Sequence, residues 1–131
     1  MSDEPVLLPG QMGEGFLRHA REPRNMGEMA QPHGQARAVG VCGDAIKVAL
    51  KVENGVISQV RVKPEGCVYT TVCASAVGEL ALGLDLDRAL EITPGDLERA
   101  LGGLPEDHLH CARLAVNTLG EAIADCYGRH G

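Results

Sequence analysis

The stretch Ala45-Ile46-Lys47-Val48-Ala49-Leu50-Lys51-Val52-Glu53-Asn54-Gly55-Val56-Ile57-Ser58-Gln59-Val60-Arg61-Val62-Lys63 decides the fold class. Ile46, Val48, Leu50 and Val52 alternate with Lys47, Ala49 and Lys51, the period of two that marks a half-buried strand. Asn54-Gly55 supplies the positive φ angles of a two-residue type I′ turn, so a second strand folds back on the first. On that strand Val56, Val60 and Val62 share a face opposite Gln59, Arg61 and Lys63. One apolar and one polar face predict an antiparallel sheet packed on a single side. A third strand is expected around Ala36–Val41. From Val68 the period changes. Tyr69, Val72, Cys73, Ala76, Val77, Leu80 and Ala81 recur at three and four, which predicts an amphipathic helix ended by Gly83.

Short helical pieces follow in residues 85–103, with Thr93 as an N-cap and Pro94 at the first helical position. A second long helix is expected from about Asp107 to Tyr127, with Ala112, Ala115, Val116, Leu119, Ala122, Ile123 and Cys126 as its buried stripe. Upstream, a short helix over Gln11–Arg21 stops at Pro23. Residues 22–38 hold two prolines and two glycines and read as a long, partly ordered connection. Residues 1–11 read as a flexible tail and 12–131 as a single domain. Strands first and helices after give an α+β fold, a small sheet of about three strands with a central hairpin packed against several helices.

Composition removes whole function classes. The 131 residues, 44% hydrophobic and 23% charged, suit one globular domain. A chain of this size buries roughly two-thirds of its unfolded surface without disulfide staples. It has no run of ~18 apolar residues to span a membrane. The acidic start MSDEPVLLPG lacks the basic and apolar regions of a secretory signal, so a cytoplasmic location is expected. Twelve Lys and Arg against 18 Asp and Glu, net −6, oppose nucleic-acid binding, which rests on clustered cations. One Phe, two Tyr and no Trp leave no stacking platform for single strands. Arg18, Arg21 and Arg24 read as a solvated helix face and loop, the alternative being a contact for an acidic protein partner.

The five cysteines carry the chemistry. An odd number without a secretory signal argues against a disulfide framework. Cys73 and Cys126 fall on helix stripes and read as core packing, since free Cys behaves as a small hydrophobe. Cys42, Cys67 and Cys111 sit where the chain turns. Cys67 precedes a helix and Cys111 lies in the first turns of another, so the helix N-termini are expected to favour their thiolates. Cys42 is a loop thiol beside Asp44. The three are 25 and 44 residues apart with no CxxC knuckle, which excludes a zinc finger or ribbon. Asp44 and His110 are the natural extra ligands. Gly43 and Gly66 are expected to let the backbone bend beside them. His110 and Cys111 project about 100° apart on a helix, so both reach one metal only at its near edge. His108 is expected to point elsewhere unless the helix starts later, and reads as an exposed first-turn residue. Three thiols with a carboxylate or imidazole suit an iron–sulfur cluster or zinc, and do not suit magnesium or calcium.

The ordered set Cys42-Gly43-Asp44, Gly66-Cys67 and His110-Cys111 on this frame resembles the IscU/NifU-type iron–sulfur cluster assembly scaffold family. His19-Ala20-Arg21-Glu22-Pro23-Arg24-Asn25-Met26-Gly27 looks like that family's N-terminal signature, with Glu22 where Asn is usual, and Asp125-Cys126-Tyr127 also follows the pattern. The resemblance implies a SufE/NifU-like fold and a carrier rather than a conventional enzyme. It implies a labile 2Fe–2S cluster, sulfur delivered as persulfide by a cysteine desulfurase, and recipient apo-proteins. Carried over, Cys42, Cys67 and Cys111 would be cluster ligands, with Asp44 or His110 as the fourth and Asp44 in the labile role. Cys111 would be the persulfide acceptor. Zinc would be a natural occupant of the isolated protein, and the chain a monomer or weak homodimer. The alternative is a zinc-holding sulfur acceptor for the desulfurase, SufU-like, although the insertion and missing His typical of that branch are not seen. Leu104-Pro105-Glu106-Asp107-His108 replaces the Leu-Pro-Pro-Val-Lys of chaperone-served members, which argues against chaperone-assisted transfer. Val68-Tyr69-Thr70-Thr71 is bulkier than is usual after the second cysteine. NifU forms often continue into further domains, and the end at Gly131 predicts neither.

Overall fold

In the computed structural model, which describes residues 13–130, the hairpin is the centre of the sheet. Strands β2 (Ala45–Glu53) and β3 (Val56–Glu65) pair antiparallel, with Val48 opposite Val62 and Leu50 opposite Val60. Asn54 (φ 56°) and Gly55 (φ 79°) both adopt the left-handed conformation a type I′ turn demands. Strand β1 (Gly34–Val39) adds to the other side of β2, giving the order β1-β2-β3. It starts two residues before the expected strand. Its core-side residues, Gly34, Ala36 and Ala38, are small rather than conspicuously apolar, so the alternation was weak in the sequence.

Two expectations are corrected by the sheet. The strict alternation placed Val56 with Val60 and Val62. A bulge instead sets Lys51 opposite Gln59 and Val52 opposite Ile57, leaving Ser58 unpaired and turning Ile57 into the core. The connection read as loose over residues 22–38 is tied to the sheet. Met26 bridges Val62 on the free edge of β3, with Val62 N–H donating to Asn25 O at 2.8 Å and Gly27 N–H to Val62 O at 3.1 Å. Such pairing covers an edge that would otherwise expose unpaired donors and acceptors. Glu28 then reaches the ammonium groups of Lys63 (2.6 Å) and Lys47 (3.0 Å). Val52 N–H donates to His33 Nδ1 at 2.9 Å.

The helices lie on the core face of the sheet. They are α1 (Glu14–Arg21), α2 (Val68–Ala81), α3 (Leu86–Ala89), α4 (Pro94–Leu101) and α5 (Leu109–His130), with a 3₁₀ turn at Glu106–His108 before the last. Thr93 and Asp96 form a reciprocal capping box at the start of α4, as Thr93-Pro94 foretold. Gly83 (φ 91°) closes α2 region. Helix α2 is not amphipathic in its setting: Thr70 and every residue from Val72 to Gly78 are buried. It is enclosed by β3, α1, α4 and α5, so small residues, not only the predicted stripe, face neighbours. The stripe of α5 is as expected, with Ala112, Ala115, Leu119, Ala122, Ile123 and Cys126 buried and Val116 partly so. Cys73 is wholly buried too, and burial pushes its thiol pKa far up. The helical start at Gln11 and Met12 and the flexible tail at 1–11 lie outside the described residues.

Candidate metal centre

Three turns converge at one end of the sheet. After β1 the chain reverses through Cys42 and Gly43, with Gly40 N–H donating to Asp44 O at 2.7 Å and Gly43 N–H to Gly40 O at 3.1 Å. Gly43 takes φ 84°, the left-handed conformation that admits glycine, as expected. This reversal leaves Cys42 exposed and sends the Asp44 side chain inward, where the residue is 8% exposed. Cys67, also exposed, is the N-cap of α2. Gly66 lies in the expected bend and has a second role. A Cβ there would lie 2.7 Å from Thr70 Oγ1 and 2.9 Å from Asp44 Cβ, so glycine permits close approach of the two loops.

The third contribution is the start of α5. Cys111 is buried, its Sγ 3.7 Å from His110 Nε2 and 3.9 Å from Asp44 Oδ2. One ligand atom each from Asp44, His110 and Cys111 lies within 4.8 Å of the others. Two donors bonded to one tetrahedral ion at 2.0–2.3 Å stand about 3.5 Å apart, so these separations close on an ion with small side-chain adjustments. The expectation that neighbouring His110 and Cys111 meet only at the near edge is thus satisfied by the long imidazole arm, which brings Nε2 back beside the thiol. Cys42 and Cys67 line the same open cavity, of about 560 Å³, without belonging to the tight triad.

Electrostatics correct one expectation. The helix N-terminus was expected to favour the Cys111 thiolate. Burial instead pushes its pKa up to about 11, a hydrogen bond from Thr70 pulls it down, and Asp44, Cys67 and Cys42 push it up again. A buried thiolate beside a carboxylate is costly unless a cation joins them. The carboxylate carries the same signal: Asp44 Oδ2 accepts from Thr70 Oγ1 at 3.3 Å, but Oδ1 is buried without a partner. A donor set of carboxylate, imidazole and thiol with an orphaned buried oxygen fits a cation.

Sequence reasoning missed the supporting residues. Thr70 is wholly buried and stands between the ligand candidates, its Oγ1 3.8 Å from Cys67 Sγ and 3.9 Å from Cys111 Sγ. Its i, i+3 spacing from Cys67 was the available signal. His108 does not point away. Its ring stacks on Tyr69 with centroids 3.8 Å apart and planes at 11°, and it lines the cavity. The 3₁₀ turn preceding α5 had no sequence marker beyond Pro105.

Comparison with known proteins agrees with this architecture. The family model described as the NifU-like N-terminal domain matches residues 12–131. The iron-sulfur cluster assembly scaffold protein IscU 1 of Archaeoglobus fulgidus is 35% identical over 115 residues, covering 86% of this chain and 74% of the relative. The IscU scaffold protein of Aquifex aeolicus is 36% identical over 124 residues, covering 92% and 79%. The nitrogen fixation protein NifU of Cereibacter sphaeroides is 38% identical over 109 residues, 82% of this chain but 44% of that longer protein. Among solved structures, a NifU-like N-terminal protein from Brucella abortus superposes with TM-score 0.68 at 18% identity, covering 89% of this chain and 94% of the other, a likeness of fold alone. This α+β chain is of the scaffold-and-carrier class. It belongs to the NifU-like N-terminal domain family. Among the described residues no helix is long and apolar enough to cross a membrane.

Proposed function

We propose that this chain is a scaffold on which an iron–sulfur cluster is assembled and from which it passes to apo-proteins. The observation that carries this reading is the convergence of Asp44, His110 and Cys111 within 4.8 Å at the floor of a cavity whose rim holds Cys42 and Cys67. The cluster is cargo, of the 2Fe–2S type. Cys42, Cys67 and Cys111 hold it as thiolates, with Asp44 or His110 as the fourth ligand. Two exposed thiols at the mouth and one buried thiol on the floor leave the cargo reachable by a partner. A carboxylate is a harder, more exchangeable ligand to iron than a thiolate, and its presence keeps the cargo releasable. Sulfur comes from a cysteine desulfurase in the cytoplasm, and Glu106-Asp107 at the relevant turn argues against chaperone-assisted transfer.

The test is anaerobic reconstitution with ferric iron and sulfide, which already stand at the oxidation level of the 2Fe–2S cluster. Charge-transfer bands with iron and acid-labile sulfide in equal amounts are expected, and Cys42→Ala or Cys67→Ala should abolish them. Colour that survives both substitutions would overturn the ligand assignment. A second reading is favoured by the triad itself, since carboxylate, imidazole and thiol at these separations also suit tetrahedral Zn²⁺. In that reading the chain holds zinc and accepts persulfide from the desulfurase on Cys111. Stoichiometric zinc that persists through reconstitution, together with stimulated desulfurase turnover, would select it.

A further inference from the structure

Among the described residues, two buried side-chain polar atoms have no hydrogen-bond partner: Asp44 Oδ1 and His108 Nδ1. Both belong to residues that line the cavity of the metal centre. Buried polar groups are almost always satisfied, so two orphans on one cavity mark a missing partner. A carboxylate oxygen only accepts, and in the Nε2–H tautomer of a neutral histidine Nδ1 accepts as well, so in that tautomer a cation answers both. The backbone makes the arrangement possible. On a continuous α-helix, residues two apart point about 200° away from each other. Here His108 ends the 3₁₀ turn and His110 lies in α5, and their ring centroids are 6.1 Å apart with planes at 32°. Two imidazoles bonded to one ion at 2.0–2.1 Å hold their centroids about 5–6 Å apart. His108 stands outside the tight triad, and the stack on Tyr69 fixes the plane of its ring, so joining the ion requires a slide within that plane. Phe16 backs Tyr69, with centroids 5.5 Å apart, which braces the stack from α1.

We infer that His108 is a further ligand of the centre, a second imidazole that joins Asp44, His110 and Cys111 on a bound divalent ion. This rests on the metal-bearing reading of the cavity. An extra imidazole beside the triad gives an ion a place to rest while the exposed thiols Cys42 and Cys67 are engaged elsewhere. Ligand exchange at His108 therefore tunes retention against release.

The experiment uses the full chain with Zn²⁺ alone and Co²⁺ alone. Zinc affinity is measured by competition with a chromophoric chelator, and cobalt geometry by its d–d absorption. His108→Phe keeps a ring on Tyr69 and removes the donor. It is expected to weaken zinc roughly 10- to 100-fold and to shift the cobalt bands, with the metal-free melting temperature unchanged. His108→Ala should behave alike, and added imidazole should restore its wild-type cobalt bands, a rescue that a merely packing role would not show. His108→Phe and His108→Ala both binding zinc within twofold of wild type, with an unaltered cobalt spectrum, would overturn the inference and leave the metal-bearing reading intact. A wild-type chain that binds neither ion would overturn both.

Discussion

In the metal-free protein Cys111 should be the slow thiol of the centre, and the structure sets the size of the effect. Its pKa stands about 11, against 9.0 for an ordinary thiol. The thiolate is the nucleophile, so a two-unit rise lowers the reactive fraction roughly 100-fold at any pH below 9. Burial of the residue slows access as well, which makes that factor a lower bound. The assay is timed alkylation after chelator treatment, read peptide by peptide by mass spectrometry. Exposed Cys42 and Cys67 should label first, Cys111 at least roughly 100-fold later, and wholly buried Cys73 only on unfolding. Two substitutions then pull in opposite directions. Asp44→Ala removes a charge that raises the pKa and should speed Cys111 labelling. Thr70→Val removes a hydrogen bond that lowers it and should slow labelling. Neither should abolish the gap, because burial is the largest cause. The sign for stability follows: a thiol that binds its proton more tightly when folded stabilises fully below pH 9, and that contribution is lost as pH rises toward 11. Labelling of Cys111 at the rate of Cys42 and Cys67, or faster labelling in Thr70→Val, would refute the reasoning.

Four further expectations concern the frame and the loops of the centre. His19 is wholly buried, Nδ1 2.6 Å from Ser75 Oγ and Nε2 3.2 Å from Glu79 Oε1, and burial holds its pKa below the ordinary 6.5. Stability from this source is present above pH 6.5 and lost as pH falls below it, so urea midpoints should drop on acidification, and less steeply in His19→Gln. Ser75 Oγ also accepts Arg24 N–H at 2.7 Å, and Ser75→Ala should cost roughly 1–3 kcal/mol by orphaning its partners, read as a midpoint shift in urea. Gly15→Ala drives a Cβ into the carbonyl of Ala100, and should cost about 1–3 kcal/mol by prising α1 from α4; a wild-type melting curve would show that α1 is not seated there. Gly66→Ala should lower zinc affinity roughly tenfold by displacing Thr70 and Asp44, an effect absent if the loops do not meet at Gly66.

What could be read from the sequence was whatever has a short period or a local rule. The hairpin, the helix spans and the Thr93 cap each depend on residues within a few positions of one another. The bulge at Ser58 was illegible because Val56 and Ile57 are both apolar, so either can face inward, and only cross-strand packing chooses. Strand β1 was half-legible for the opposite reason: Gly34, Ala36 and Ala38 are selected by how closely α5 approaches, a long-range demand. A Cβ at Gly34 would collide with Cys126 Sγ, and no local pattern announces that. At the centre, residue type singled out side chains that do converge, yet the burial of Cys111 reversed the inferred effect of the helix end. Position along a helix is a local fact, whereas desolvation depends on everything that folds over the thiol.

That reversal bears on how the cavity would accept and give up the proposed cargo. A pocket that stabilised the bare thiolate would hold Cys111 charged before any ion arrived. Here the thiol keeps its proton, and Asp44 Oδ1 stays unpartnered, until a cation compensates both. On the proposed reading, loading would displace a proton from the floor of the cavity, and unloading would take one back. The cost of leaving the floor empty is limited because Thr70 bonds Asp44 Oδ2 and contacts the sulfurs of Cys67 and Cys111 in the meantime. On the proposed reading, retention would depend on the buried donors and access on the exposed thiols, with the Thr70 hydroxyl placed between them.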